Sequence, residues 1–464
     1  MTLTVPKVNP VENVQRSSSQ LTQFTEFRHY TPRDLDKIPQ VKRLNREQRF
    51  AMKVVSQVLP FKVNEYVLHE LINWDNIPED PIFQLTFPQK EMLLDKDFNT
   101  IADLLRSQAP KDQLKKKIDE IRYSLNPHPA GQMQMNVPKV NGVPLPGVQH
   151  KYKETALFFP TSGQTCHAYC TFCFRWAQFV GINELKFASK EASQLMEYLR
   201  QHKEVSDILF TGGDPMVMKT RVFNRYLEPF LGKDLNHVQT IRIGTKAVSY
   251  WPQRFVTDQD ADDFLWIIEK LIKKGKHVAI MGHYNHWVEF ETPIAREAIR
   301  RIRETGAQIR TQSPLIRHIN DDADVWETMW RNQVRYGLIP YYMFVERDTG
   351  ARRYFEVPLV QAWEIFRNAW KNVSGLGRTV RGPSMSATPG KVEVQGVTEI
   401  KGEKVIVLRF IQGRNPDWVE RPFFAKYDTK ASWLDQLEPA FGEKEFFFES
   451  ELKEIQSRAM AKAG

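Results

Sequence analysis

The chain has 464 residues, 41% of them hydrophobic and 12% aromatic, with 65 lysines and arginines against 56 acids for a formal net charge of +9. That is apolar content for a large core, and the length passes the ~250–300 residues at which single cores stop growing, so more than one domain is expected. No apolar run approaches the ~20 residues that cross a bilayer, and the basic residues alternate with acids on helical patterns, so neither a membrane span nor a nucleic-acid stripe is indicated.

Residues 1–40 are polar with scattered prolines and read as a flexible arm. Their start, MTLTVPKVNPVENVQRSSSQLTQF, lacks the apolar stretch of a secretory signal, which predicts a soluble, cytoplasmic protein. Residues 41–148 form a helical N-terminal region: apolar positions recur at helical spacing from Asn45 to Leu105, and again in KDQLKKKIDEIRYSL. Between them IPEDPIFQLTFPQKEML (77–93) holds too many prolines for a helix and reads as an ordered connector. NPHPAGQ (126–132) breaks the second pattern.

After Tyr152 the pattern changes. ETALFFP, VSDILFTGGDP, HVQTIRIGT, KHVAIMGHYNH, AQIRTQSPLI and GLIPYYMFVE are short β-rich runs, separated by amphipathic stretches such as DADDFLWIIEKLIKKG and PIAREAIRRIRETG. Strands alternating with helices predict parallel βα units, and six of them suit a partial (β/α)6 barrel over 149–381 with chemistry at the C-terminal strand ends. Residues 382–464 follow as a C-terminal segment in which KVEVQGVTEIKGEKVIVLRF predicts a small antiparallel β element.

Cys166, Cys170 and Cys173, in CHAYCTFC after the first of these strands, are the only cysteines. An odd number in one motif excludes an intrachain disulfide framework and indicates a reducing compartment. A C-x3-C-x2-C triad can hold three irons of a [4Fe–4S] cluster and leave the fourth open, as in radical S-adenosylmethionine (SAM) enzymes, where the open iron binds SAM. Zinc is the alternative, with His167 as a fourth ligand, but zinc sites tend to use C-x2-C pairs in two halves and no second pair exists. After the second strand, Thr211, Gly212, Gly213 and Asp214 form a turn whose glycines admit close backbone approach. Asp214 there supplies a carboxylate suited to the amino group of SAM.

In order along 77–395, the segments DPIFQLTFP, HKY-x3-ALFF, CHAYCTFCFR, LFTGGDP, RIGTK with WPQRF, GHYNH, SPLIRHIND and IPYYMF resemble the lysine 2,3-aminomutases and their relatives. The resemblance implies a radical SAM isomerase in which the reduced cluster cleaves SAM to a 5′-deoxyadenosyl radical. The substrate amino group, held by pyridoxal 5′-phosphate (PLP), then migrates from Cα to Cβ. It further implies an amino-acid substrate, an electron donor such as flavodoxin or ferredoxin, and often a homo-oligomer. By motif, Arg175 matches the partner of the substrate carboxylate, and Lys246, His283 and Asn285 would lie near SAM. Lys151 and Tyr152 match the PLP-contacting pair, with lysine where arginine is usual and Thr155 where a second arginine is common.

Asp321 matches an aspartate that receives the distal amine of a lysine-like substrate; its bland alternative is a helix N-cap. Lys391 is the candidate PLP lysine, after a shorter glycine loop than is usual, and its alternative is a surface lysine opening a hairpin. Ser386 or Ala387 falls where a second substrate carboxylate is expected. The SAM half of the site is thus intact and the PLP half altered, which leaves a PLP-independent radical SAM reaction as the rival function.

Overall fold

The computed structural model describes residues 21–126, 136–181, 188 and 192–461. The first half of the expected arm (1–20) and most of the break at 126–132 lie outside them. Residues 21–40 are packed, with Leu35 and Ile38 in the core at 2% and 0% exposure.

Four helices follow: α1 (Arg46–Val58), α2 (Pro81–Thr86), α3 (Asp95–Arg106) and α4 (Lys111–Ser124). Asn45 starts α1 with a capping box, accepting from the Gln48 N–H at 2.8 Å while Gln48 accepts from the Asn45 N–H. The connector expected at 77–93 contains α2. Proline does not prevent it, because Pro81 occupies the first helical position, where no N–H is needed, and Asp80 caps the Phe83 N–H at 2.7 Å.

The large element is an 11-stranded mixed sheet whose spatial order is its chain order. Its strands are β1 (Val148–Tyr152), β2 (Thr155–Phe158), β3 (Asp207–Phe210), β4 (Thr240–Thr245), β5 (His277–His283), β6 (Gln308–Leu315), β7 (Ile339–Val345), β8 (Arg381–Ser386), β9 (Gly390–Ile400), β10 (Glu403–Gly413) and β11 (Pro422–Lys426). From β2 to β8 every pairing is parallel. The crossovers carry α5 (Ala192–Gln201), α6 (Thr220–Leu227), α7 (Ala261–Lys273), α8 (Pro293–Glu304), α9 (Ala323–Arg335) and α10 (Leu359–Lys371). Parallel neighbours need such crossovers. β1 and β9–β11 add antiparallel edges, and α11 (Glu449–Ala461) closes the chain. β8 straddles the boundary expected at 381/382, so the C-terminal segment continues the same sheet.

The sheet is far from flat. Lys151 of β1 donates to the Ala387 carbonyl just past β8 at 2.7 Å. Seven strand spacings of ~4.8 Å would separate them by roughly 34 Å in a flat sheet. The parallel strands therefore curl until β1 meets the β8–β9 turn, and an interior is enclosed. Among the described residues no helix is long and apolar enough to cross a membrane.

Candidate active site

The cysteine loop leaves the C-terminal end of β2 and is held from several sides. Lys62 Nζ donates to the Cys166 carbonyl at 2.7 Å, and Asn64 Nδ2 bridges the His167 and Tyr250 carbonyls at 3.3 and 2.9 Å. The Thr171 N–H donates to the Leu85 carbonyl at 2.9 Å, and its hydroxyl to the Gln84 carbonyl at 2.8 Å. The N-terminal helices thus build the loop's wall. Burial pushes all three thiols up, Cys170 to about 11 and Cys173 to about 12, and Cys170 adds to the rise at both Cys166 and Cys173. Cys170 Sγ lies 3.6 Å from the Tyr250 hydroxyl, and the Arg175 N–H points at Cys173. Three half-buried, neighbouring sulfurs, one of them facing the Arg175 N–H, suit a cluster, whose thiolates sit on separate irons. Among the described residues no three His, Cys, Asp or Glu side chains could hold a single metal ion. His167 is buried and held neutral, lowered to about 3 by burial and Lys62.

The Thr211–Asp214 turn packs directly under this loop. A Cβ on Gly213 would stand 2.5 Å from the Thr165 carbonyl oxygen, and the Asp214 N–H donates to that same oxygen at 2.7 Å. Asp214, 2% exposed, is raised to about 6 by burial. Its carboxylate accepts from the Thr245 hydroxyl at 2.7 Å, the Met216 and Lys246 N–H groups at 2.9 and 2.8 Å, and the Ala247 N–H at 3.1 Å. This carboxylate, expected to meet the amino group of SAM, also braces the β3 turn against the β4 turn.

Lys246, Asn285 and His283 do come together. Lys246 Nζ donates to Asn285 Oδ1 at 2.8 Å and pairs with Glu289, while Asn285 Nδ2 donates to the Ser313 hydroxyl at 2.9 Å. His283, lowered to about 3 by burial and by Lys246, takes the Gln312 amide on Nε2 at 2.6 Å. A neutral, acceptor imidazole is what those surroundings maintain.

Arg175 stacks on Phe159, 4.2 Å from the ring centre, and donates to Gln178 at 2.8 Å. Its Nε is buried without a hydrogen-bond partner. Burial lowers it to about 10, against the pull of Cys173 and Cys166. A guanidinium with an idle buried N–H beside the thiols is equipped to take a carboxylate.

Lys391 lies over the Tyr342 ring at 4.2 Å and is lowered to about 7 by burial and by the nearby Arg381 and Arg242. Arg242 is itself paired with Asp207 at 2.8 Å. Lys151 faces the turn before Lys391 with its ammonium 5.4 Å from the Tyr152 ring centre, and it is pushed well down by burial, Arg414, Arg347 and Lys391. This interior is cationic, and an amine kept neutral near pH 7 fits a carbonyl cofactor.

Asp321 accepts from the His318 N–H at 3.0 Å; the α9 cap, the alternative reading of Asp321, is supplied by Asp322, which accepts from the Asp324 N–H at 2.8 Å. The 313–321 loop borders the cysteine loop through Phe355, whose carbonyl accepts from the Arg317 N–H and whose ring lies 6.4 Å from Phe172. Sequence reasoning missed Lys62, Asn64, Glu289, Arg347 and Arg414. Only Glu289 carried a signal, an acid four residues beyond Asn285 in an otherwise apolar stretch.

No protein-family model matches the chain. A putative L-lysine 2,3-aminomutase of Aquifex aeolicus is 29% identical over 396 residues, which span 85% of this chain and 92% of that protein. The L-lysine 2,3-aminomutase of Bacillus subtilis is 24% identical over 383 residues, 82% and 71% of the two chains. A glutamate 2,3-aminomutase of Clostridioides difficile is 27% identical over 213 residues, 46% and 47%. Streptococcus suis SuiB bound to S-adenosylmethionine aligns with a TM-score of 0.33 at 13% identity over 59% of this chain and 56% of that one, a likeness too slight to bear on the fold.

Proposed function

This chain is a divergent relative of the lysine 2,3-aminomutases, and we propose that it is a radical SAM isomerase shifting an amino group from Cα to Cβ of an L-amino acid. In this reading the curled sheet is a partial (β/α)6 barrel running from β2–α5 to β7–α10. Cys166, Cys170 and Cys173 hold a [4Fe–4S] cluster, the Thr211–Asp214 turn with Lys246, His283 and Asn285 borders SAM, and Lys391 carries PLP. Cluster and SAM supply a hydrogen-abstracting radical, and PLP supplies the π-system across which nitrogen moves.

The chain's own residues do the placing. Arg175 takes the substrate carboxylate on its idle N–H groups, which fixes Cα near the thiol loop. Lys391 offers a neutral amine, since Arg381 and Arg242 add to the burial that disfavours its proton. Asp214 keeps the two SAM-facing turns in register, and Glu289 holds Lys246 at Asn285. Asp321 keeps the turn at His318 and is the carboxylate offered to a lysine-like side chain. A donor such as flavodoxin or ferredoxin would supply the electrons the cluster needs.

The observation that carries the reading is the 2.7 Å bond from Lys151 to Ala387, which brings the Lys391 turn back to the β1–β2 pair from which the thiol loop leaves. The experiment is anaerobic incubation of cluster-loaded protein with SAM, PLP, reductant and single L-amino acids, with lysine first. A β-amino acid product supports the proposal. Formation of 5′-deoxyadenosine with no β-amino acid from any substrate rejects it and favours a PLP-independent radical reaction, for which the absent carboxylate at Ser386 and Ala387 is the motive.

A further inference from the structure

Around the turn that ends at Lys391, cations gather from three distant parts of the chain. Lys151 Nζ donates to the Ala387 carbonyl at 2.7 Å, and Arg414 Nε donates to the next carbonyl, Thr388, at 2.8 Å. The Arg414 N–H also holds the Pro389 carbonyl at 3.0 Å, and its Nη2 donates to Asn136 Oδ1 at 2.9 Å. Arg347 follows β7. Phe344 pairs with Ser384, so continuing that register brings Arg347 level with Ala387. Its Nε is buried with no hydrogen-bond partner, and the Asp348 carboxylate, at 4.0 Å, is beyond hydrogen-bond reach.

The charges do not balance. Lys151 is disfavoured as a cation by burial and then by Arg414, Arg347 and Lys391, while the acids that act on Arg347 are its chain neighbours Asp348 and Glu346. Like charges held close together and half withdrawn from water outnumber the Asp348 and Glu346 carboxylates beside Arg347, and a multiply charged anion relieves the excess. Tyr152, raised to about 12 chiefly by burial, keeps its hydroxyl proton and is a further donor. Two guanidinium forks, an ammonium and a phenol suit the oxygens of a phosphate better than a single carboxylate.

We propose that Arg347 and Arg414 join Lys151 and Tyr152 to seat a phosphate monoester dianion beside Lys391, replacing the guanidinium groups that the chain lacks at positions 151 and 155. The inference rests on the PLP reading for the identity of the phosphate, and its source is either PLP or a phosphorylated substrate.

The test compares wild-type, Arg347→Gln, Arg414→Gln and Arg347→Lys proteins, all cluster-loaded. PLP and pyridoxal, which lacks the phosphate, are titrated by absorbance, and inorganic phosphate by ³¹P NMR. Each glutamine variant should weaken PLP binding about tenfold or more, the usual scale for one charged hydrogen bond. Pyridoxal affinity should stay constant and Arg347→Lys should recover part of the loss. Unchanged PLP affinity, or equal loss of PLP and pyridoxal, would overturn the seat while leaving PLP at Lys391 intact. If wild-type protein takes no PLP yet binds inorganic phosphate, with the variants losing it, the seat stands and belongs to a phosphorylated substrate. If wild-type protein binds neither PLP nor phosphate, the seat is refuted.

Discussion

Lys246 and Glu289 form an ion pair at 2.5 Å in which the carboxylate is fully buried and the lysine side chain only 10% exposed. The other carboxylate oxygen of Glu289 accepts the N–H groups of Asn285 and His286, so one acid fixes the whole GHYNH turn. Removing one partner of a buried pair strands the other charge at ~3–5 kcal/mol. Glu289→Gln should therefore lower the chemical denaturation midpoint markedly and weaken SAM binding, while Glu289→Gln combined with Lys246→Met, which keeps an acceptor for the two N–H groups and strands no charge, costs less stability. A wild-type midpoint for Glu289→Gln would show that the pair does not brace the turn.

Gly213 predicts a second effect. Its added Cβ would meet the Thr165 N and O at 2.6 and 2.5 Å, both backbone atoms that cannot swing aside. Gly213→Ala should force the turn away from the cysteine loop and reduce the iron and sulfide recovered per chain. Gly375→Ala, where nothing lies within 4 Å, is the matched control. Equal iron content in both variants contradicts the coupling of turn and loop.

The Lys391 amine gives a pH dependence. It is lowered from 10.5 to about 7, so the folded chain favours the neutral amine. Its cost to stability is absent above pH ~10.5, grows as pH falls toward 7 and is complete below. Reactivity runs the same way: the rate of Lys391 modification by pyridoxal should rise with a midpoint near pH 7. A midpoint above 9 would mean an ordinary exposed lysine.

Asp321→Asn retains an oxygen for the His318 N–H, so the turn should survive and the lost charge is read alone. If Asp321 meets a substrate ammonium, KM for a cationic amino acid rises about tenfold with kcat little changed. An unchanged KM confines Asp321 to its turn.

Much of this was legible in the chain. The order of β2 to β7 and their helices follows from alternating periodicity, and the cysteine triad from spacing. Six βα units already suggest a curled sheet, but periodicity could not show the contact that joins its ends, between Lys151 and Ala387, 236 residues apart. For the same reason Arg347 and Arg414 looked like any surface arginine. A carboxylate beside two glycines suggests a ligand, and only packing shows that Asp214 also holds Thr245 and Lys246. Lys62 and Asn64 sit in an unremarkable stretch and matter only because the N-terminal layer folds over the cysteine loop.

The measurement closest to the central claim is borohydride reduction of anaerobically purified protein in the presence of PLP, followed by peptide mass mapping. A phosphopyridoxyl adduct on Lys391 is the predicted result. No adduct on any lysine, with SAM still cleaved to 5′-deoxyadenosine, would contradict the aminomutase account.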